Sequence, residues 1–174
     1  MLECKMEHCA YGCLFCHVGS EQRVVDEILT QYPAIEAIAP VKMRYHRGKQ
    51  EYEKILLFPG YVFIKADSSF PIFELVRQKD IYKVLCDSNR SWPLMGTDAE
   101  IAGKLFEANG VIDLSNAYYE NGRIRIVDGF LKGYEGNIIR VNHRMRTAQI
   151  KLDFCENQST IWLGFELIEN AAHV

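Results

Sequence analysis

The sequence predicts an α+β protein in two parts, an antiparallel sheet with helices of the ferredoxin-like type followed by a small all-β barrel. Three observations support this fold class. A chain of 174 residues with 48% apolar side chains is long enough for one medium domain or two small ones. Strand and helix patterns alternate over the first 108 residues. From residue 119 onward the sequence shows only short β-branched segments between turns.

The first part begins with a strand and a helix. Tyr11 to Val18 is rich in aromatic and β-compatible residues, which predicts a strand. Ser20 is a suitable N-cap for the helix that follows, and Pro33 ends this helix. The apolar side chains that share the predicted buried face of the helix are Val24, Val25, Ile28, Leu29 and Tyr32.

A hairpin with a basic tip comes next. Residues 35–45 alternate between apolar and polar, the segment HRGKQ is turn-prone, and a second strand runs through LLFPGYVFI. Pro59-Gly60 inside an aromatic strand predicts a bulge or bend. Tyr61 and Phe63 lie two apart on one face and are either core residues or an apolar docking patch, and the residues alone favour the core by a small margin.

The first part ends with a short helix, a strand and a longer helix. Ser69 caps the short helix, the strand covers residues 81–86, and Thr97 to Glu100 forms a capping box for the last helix. The order β-α-β-β-α-β-α is the split β-α-β layout of ferredoxin-like domains, which predicts an antiparallel sheet with helices packed mainly on one face.

The second part reads as five short strands, RIRIVD, EGNIIRVN, TAQIKLDF, STIWLG and ELIE. A closed barrel would remove most of their exposed edges. Asn109-Gly110 and Asn121-Gly122 interrupt regular structure at the boundary. We therefore predict domains over residues 1–108 and 119–174, joined by a linker at 109–118.

Charge and hydropathy exclude several classes of protein. The net charge of −3 is too close to balance for a uniformly basic protein, yet residues 121–151 hold 7 basic and 2 acidic side chains. The longest apolar stretch, residues 55–64, is too short to span a bilayer, and the first residues lack a secretory signal pattern. A cytoplasmic location with no membrane contact is expected.

Six cysteines suggest a competing interpretation. Cys13-Leu14-Phe15-Cys16-His17 matches a haem attachment pattern, and Cys4, His8 and Cys9 lie nearby. On a strand, however, side chains three apart point to opposite faces, so Cys13 and Cys16 diverge. We expect free structural thiols, with a cysteine-based metal or haem protein as the alternative from another class.

No catalytic arrangement emerges from the sequence. Nucleophile and base pairs, paired carboxylates and a phosphate-binding glycine loop are all missing. We therefore expect a binding protein that is not an enzyme and has no catalytic residue, cofactor or metal.

Two basic groups are candidate nucleic-acid contacts. The first lies on the polar face and tip of the first hairpin: Lys42, Arg44, His46, Arg47 and Lys49. The second flanks the tip NHRMR of the second part: Arg140, His143, Arg144, Arg146 and Lys151. Solvated hairpin tips are often basic, so a plain surface role is the alternative for both. A concentrated patch would neutralise several phosphates and bind nucleic acid in a salt-dependent way.

Several segments together resemble the NusG family of transcription elongation factors. They are AYGCLFCHVGSEQRVVDEIL, AIAPVKMRYHRGKQ, LLFPGYVFIKAD, GRIRIVDGFLKGYEGNIIRV and TAQIKLDF, which span about residues 10–170 in the family's order. The resemblance implies an N-terminal NusG domain (NGN) followed by an SH3-like KOW domain. It also implies a monomer that binds the clamp of the largest RNA polymerase subunit and favours the closed, processive enzyme.

The resemblance also implies roles for particular residues. The polymerase-binding residues would be Phe58, Pro59, Gly60, Tyr61 and Phe63. His17 and Arg23 match positions that touch non-template DNA in one specialised subgroup, beside the basic hairpin. In the KOW domain, Tyr134 and Phe154 match aromatic contacts to Rho or a ribosomal protein, and Lys132 lies beside them.

Departures from the family pattern indicate a specialised member. Ala10 stands where a Trp usually precedes the Tyr, and CENQST replaces a common Gly-Arg turn. With these departures and its basic KOW tip, the sequence resembles a LoaP-type antitermination factor, which implies contacts to leader RNA or non-template DNA. The alternative is a housekeeping factor that couples polymerase to Rho or the ribosome.

Overall fold

A computed structural model describes residues 9–46, 48–154 and 157–169 of the chain. The chain divides into two compact units. The first holds Met1–Pro40 with Phe58–Gly110, and the second holds Val41–Leu57 with Val111–Val174. This division differs from the predicted domains because the first hairpin belongs to the second unit.

Among the described residues, the first unit combines four strands and two α-helices. Its elements are β1 (Cys9–Cys16), α1 (Glu21–Gln31), β2 (Glu36–Ile38), β5 (Tyr61–Asp67), β6 (Ile81–Leu85) and α2 (Gly96–Glu107), with a 3-10 helix at Ile72–Arg77. The hairpin strands β3 (Val41–His46) and β4 (Glu51–Leu56) lie between β2 and β5 in the sequence. The sheet has the order β2-β5-β1-β6 with antiparallel pairs throughout.

The helices cover opposite faces of this sheet. Leu14 of β1 and Val62 of β5 share a buried core with Val24 and Ile28 of α1. Tyr11 lies three residues before Leu14 and therefore on the other face, where its ring stacks on Phe106 of α2 at 5.5 Å between centroids. The predicted mixture of strands and helices is confirmed. The prediction that the helices pack mainly on one face is wrong, because α1 packs on the Leu14 face and α2 on the Tyr11 face.

Two predicted helix starts differ in detail. α2 begins at Gly96, so Thr97 lies inside the first turn, and the N-cap position is Met95 without a side-chain cap. The predicted capping box is wrong for this reason. Ser20 does occupy the N-cap position of α1, but its hydroxyl donates to Asp80 Oδ2 at 3.3 Å and makes no cap bond. The short helix predicted from Ser69 is the 3-10 turn at Ile72–Arg77.

The second unit is rich in β-structure, as predicted. Its further elements are β7 (Val111–Ile112), β8 (Ser115–Glu120), β9 (Arg123–Ile126), a 3-10 turn at Glu135–Asn137, β10 (Ile138–Asn142), β11 (Thr147–Phe154) and β12 (Asn157–Leu167). One sheet has the order β10-β11-β12-β8-β9, and β4-β3-β7 forms a second. β7 and most of β8 lie within residues 109–118, so the predicted linker is not irregular. STIWLG and the first two residues of ELIE are parts of one strand, β12.

No helix among the described residues is long and apolar enough to cross a membrane. Two cysteines of the first strand are packed in the interior of the first unit. Cys13 and Cys16 are fully buried, and Cys16 lies in the core under α1, as expected for structural thiols. Cys4, His8 and Cys155 lie outside the described residues.

We expect the cysteines of the native protein to differ in their rates of alkylation. Burial, followed by the negative charge of Glu21, raises the pKa of Cys16 to about 11, whereas Cys86 is exposed. Because the thiolate is the reactive form, iodoacetamide at about pH 8 should modify Cys86 and spare Cys13 and Cys16. Peptide mass spectrometry measures the rates, with denatured protein as the control. Equal rates at Cys16 and Cys86 in native protein would contradict the packing.

Candidate functional site

An aromatic cluster lies at one end of the sheet in the first unit. We call Phe15, Tyr61 and Tyr82 the aromatic patch. Phe15 of β1 pairs directly with Tyr61 of β5, and the two rings lie 5.4 Å apart. The Tyr82 ring of β6 lies 5.7 Å from Phe15 and the residue is 56% exposed. The register of β1 and β5 and the ring contact to Tyr82 thus bring three rings together, with Tyr82 exposed and Phe15 and Tyr61 half-buried.

Polar and apolar neighbours border the aromatic patch. The Lys83 ammonium lies 5.9 Å from the centre of the Phe15 ring, a cation–π distance. His17 Nδ1 and the Tyr82 hydroxyl are 3.1 Å apart. Val18 is 59% exposed. The arrangement offers large apolar area with charge at its border, which is typical of protein-binding surfaces.

Two predicted polymerase-binding rings are not at the surface. Phe63 is fully buried and Phe58 is 7% exposed, and their rings contact each other at 5.8 Å. The prediction that both form an exposed docking patch is therefore wrong. Tyr61 is the first residue of β5, whereas Phe63 lies further along, opposite the fully buried Cys13. Only Tyr61 of the three predicted rings remains half-exposed.

The loop before Tyr61 is fixed by a buried glutamate. Glu21 is 2% exposed, and its two carboxylate oxygens accept from Gly19 N at 2.8 Å and Gly60 N at 2.7 Å. Gly60 has φ +84°, a left-handed conformation that favours glycine, and its carbonyl accepts from Cys16 N at 2.8 Å. Pro59 is exposed at the turn. Pro59-Gly60 therefore positions Tyr61 through the backbone, as the bend prediction requires.

We expect Glu21→Gln to lower the free energy of unfolding by about 1–3 kcal/mol, because an amide leaves one buried backbone N–H without an acceptor. Glu27→Gln on the same helix is the matched control. Glu27 is partly exposed and pairs with Arg23, so its loss should cost about 0–1 kcal/mol. Urea unfolding measures both. Similar effects for the two variants would contradict the clamping role of Glu21.

The predicted DNA contacts of the first unit differ in accessibility. His17 is exposed. Arg23 pairs with Glu27 Oε1 at 2.5 Å and also contacts the carboxylate of Asp80. The two carboxylates neutralise the Arg23 guanidinium locally, which weakens it as a phosphate contact.

The predicted DNA contacts on the hairpin have different surroundings. Lys42 Nζ donates to the Trp162 carbonyl at 2.7 Å, and burial, followed by the charge of Arg44, lowers the Lys42 pKa. Lys42 is thus a packing residue of the second unit. Arg44 bonds Glu53 on the neighbouring strand, while Lys49 is exposed. His46 is half-buried, and Arg47 lies outside the described residues.

The predicted KOW contacts divide into buried rings and exposed charges. Tyr134 is 9% exposed and Phe154 6% exposed, so the prediction that they present rings to a partner is wrong. Both belong to the core of the second unit, where Phe130 stacks on Tyr134 at 5.4 Å. The basic side chains lie outside this core: Lys132, Arg140, His143, Arg144 and Arg146 are exposed, and Lys151 is half-buried.

The sequence did not reveal three residues of the aromatic patch and the turn beside it. Phe15 and Tyr82 were assigned only to strands, and Glu21 only to the helix. Phe15 could have been found from strand alternation if the register opposite Tyr61 had been known. The signal for Glu21 is weak, because an acidic residue in a first helical turn is common at the surface. Among residues 9–46, 48–154 and 157–169, no cluster of three potential metal ligands occurs.

Comparisons with known proteins agree with this architecture. A family model described as transcription termination factor nusG matches residues 11–102, more than half of the chain. The solved structure described as "Domain interaction in Thermotoga maritima NusG" is similar in fold, with a TM-score of 0.56 and 14% sequence identity. The alignment covers 90% of this chain and 93% of that chain. No curated protein matches the chain in sequence.

Proposed function

The chain belongs to the NusG family of transcription factors, and from this premise we propose that it binds RNA polymerase through the aromatic patch and promotes processive antitermination. The patch would dock on the clamp of the largest polymerase subunit. A factor that binds the closed clamp more tightly than the open one shifts polymerase toward the processive state. The protein acts in this proposal by binding alone, without catalysis.

The observation that carries the proposal is the aromatic patch, in which half-buried Phe15 and Tyr61 and exposed Tyr82 lie beside the Pro59-Gly60 turn that Glu21 holds. Rigid aromatic side chains supply large contact area at low entropic cost, and such residues dominate binding energy at interfaces. Glu21 fixes the turn before binding, so little ordering is needed when the partner arrives.

The second unit favours nucleic acid over a protein partner. Burial of Tyr134 and Phe154 removes the rings that would dock Rho or a ribosomal protein. The exposed side chains of Arg140, Arg144 and Arg146 suit phosphates instead. We therefore favour a specialised antitermination factor that contacts leader RNA or non-template DNA over the housekeeping alternative.

A pull-down with core RNA polymerase, followed by run-off transcription through a terminator, tests the proposal. We expect wild-type protein to be retained and to raise read-through, and Tyr82→Ala to lose both effects while its thermal unfolding is unchanged. Lys54→Ala, a change at an exposed hairpin residue, is the control. Absence of polymerase binding by the wild-type chain, or full activity of Tyr82→Ala, would count against the aromatic patch.

A further inference from the structure

Two hydrogen bonds hold the hairpin against the main sheet of the second unit. Lys42 Nζ donates to the Trp162 carbonyl at 2.7 Å, and the Tyr52 hydroxyl donates to Glu166 Oε1 at 3.0 Å. Partial desolvation and the bond to Glu166 raise the pKa of Tyr52, which keeps the hydroxyl protonated as a donor. The hairpin is therefore a fixed wall beside β12.

A pocket of about 400 Å³ lies between this wall and the turn before β11. Its volume is within the range of small-ligand sites, about 300–1,000 Å³. Gly164 and Leu114 both line the pocket. They pack so closely that a β-carbon at Gly164 would collide with the Leu114 side chain. The lining residues that carry chemistry are Arg44, Tyr45, Tyr52, Arg144, Arg146 and Glu166.

One side of the pocket is aromatic. Tyr45 and Tyr52 are paired across the hairpin with ring centroids 5.2 Å apart, and they are 40% and 48% exposed. Exposed, pre-positioned rings on strands are the platform on which unpaired bases stack, because every base has a π-face.

The other side is cationic. Arg144 and Arg146 belong to the turn between β10 and β11, and Arg44 extends from β3. The Arg146 carbonyl accepts from Phe165 N at 2.9 Å, which anchors the turn to β12. Arg44 is paired with Glu53, and the rest of the lining holds two further arginines, Arg144 and Arg146, against the single carboxylate of Glu166. Arginine also matches phosphate geometry through its forked donors.

We infer that this pocket binds one unpaired nucleotide of a single-stranded nucleic acid, its base stacked on Tyr45 and Tyr52 and its phosphate paired with Arg144 and Arg146. The inference rests on the proposed function, which it deepens by joining the hairpin group and the NHRMR group in one site. Glu166 orients Tyr52, and its carboxylate is an acceptor for the amino group of a base.

A base paired inside a duplex has no free face to offer, so the pocket selects unpaired segments. Such segments come from two sources, a loop of RNA or an exposed strand of DNA. Both present the same base and phosphate chemistry to the pocket.

Fluorescence anisotropy of the full-length protein with a labelled 12-nucleotide RNA, the matching single-stranded DNA and the corresponding duplex tests this inference. We expect a single strand to bind at least tenfold more tightly than the duplex. Tyr45→Ala should weaken single-strand binding about tenfold, and Tyr45→Phe should restore it to within about twofold. A tighter RNA complex identifies RNA as the source, and a tighter DNA complex identifies DNA.

Phe73→Ala is the matched control, since it removes a ring of the first unit with similar exposure, 36% against 40% for Tyr45, outside both proposed binding surfaces, and should leave the affinity unchanged. Circular dichroism checks that each variant is folded. The inference is wrong if binding depends on salt but is unchanged in Tyr45→Ala, or if the duplex binds as tightly as the single strand. Either result would indicate a purely electrostatic contact. No binding to any strand at low salt also overturns the inference. The polymerase pull-down reports independently on the aromatic patch.

Discussion

Gly129→Ala is expected to lower the free energy of unfolding of the protein by about 2–5 kcal/mol. Gly129 has φ +82°, where a side chain costs about 1–2 kcal/mol. A β-carbon would also come within 2.7 Å of the Ser115 Cα, a backbone atom that does not move away by a rotamer change. Overpacking of this kind adds about 1–3 kcal/mol.

The site of this clash joins three parts of the second unit. Ser115 is 1% exposed, and its hydroxyl accepts from Leu131 N at 3.1 Å. Ser115 also begins β8, the strand that pairs with both β9 and β12. A displaced Ser115 therefore loses a buried hydrogen bond and disturbs the centre of the sheet.

Gly122→Ala isolates the packing contribution from the backbone contribution. Gly122 has φ +76°, close to that of Gly129, but a β-carbon added there would meet no atom within 4 Å. We expect a loss of only about 1–2 kcal/mol for this variant. Urea denaturation followed by circular dichroism measures both. Equal losses would mean that the contact with Ser115 contributes nothing.

The sequence predicted most elements because their signals are local. The helical spacing of Val24, Val25 and Ile28 lies within α1, where all three residues are buried. Strands β9 to β11 follow the β-branched segments of the second part. The strand β8 was missed because SNAYYE carries a weak pattern, and its parallel pairing with β12 is a long-range contact.

The place of the hairpin also depends on long-range contacts. The alternation of residues 41–45 predicts β3, but it does not reveal that Lys42 would bond Trp162 or that β3 would pair with β7. Membership in the second unit follows from these tertiary bonds. Sequence patterns alone therefore assigned Arg44 and Arg144 to separate nucleic-acid contacts, although both line one pocket.

The candidate site was predicted in part for a similar reason. The sequence placed Tyr61 and Phe63 on one strand face, and strand periodicity is correct there. Periodicity does not show how far along the strand the buried region extends. Tyr61 is half-buried at the start of β5, and Phe63 is completely buried.

Phe63→Ala is expected to lower the free energy of unfolding by about 3–5 kcal/mol, the usual cost of truncating a buried phenylalanine. Tyr61→Ala, two residues earlier on the same face, should cost about 1 kcal/mol, because its ring is already partly in water. Urea unfolding measures the two losses. Phe63→Leu is the control for volume and should recover most of the stability.

Polymerase binding should respond in the opposite order. Removal of the Tyr61 ring takes an aromatic contact from the proposed interface, so the dissociation constant for core polymerase should rise about tenfold or more. Phe63→Leu keeps the fold and presents the same surface, so its affinity should stay within about twofold of wild type. The comparison separates a ring that supports the sheet from a ring that meets the partner. If Phe63→Leu weakens binding as much as Tyr61→Ala, polymerase binding depends on the structure of the whole sheet, and the aromatic patch is not the docking surface.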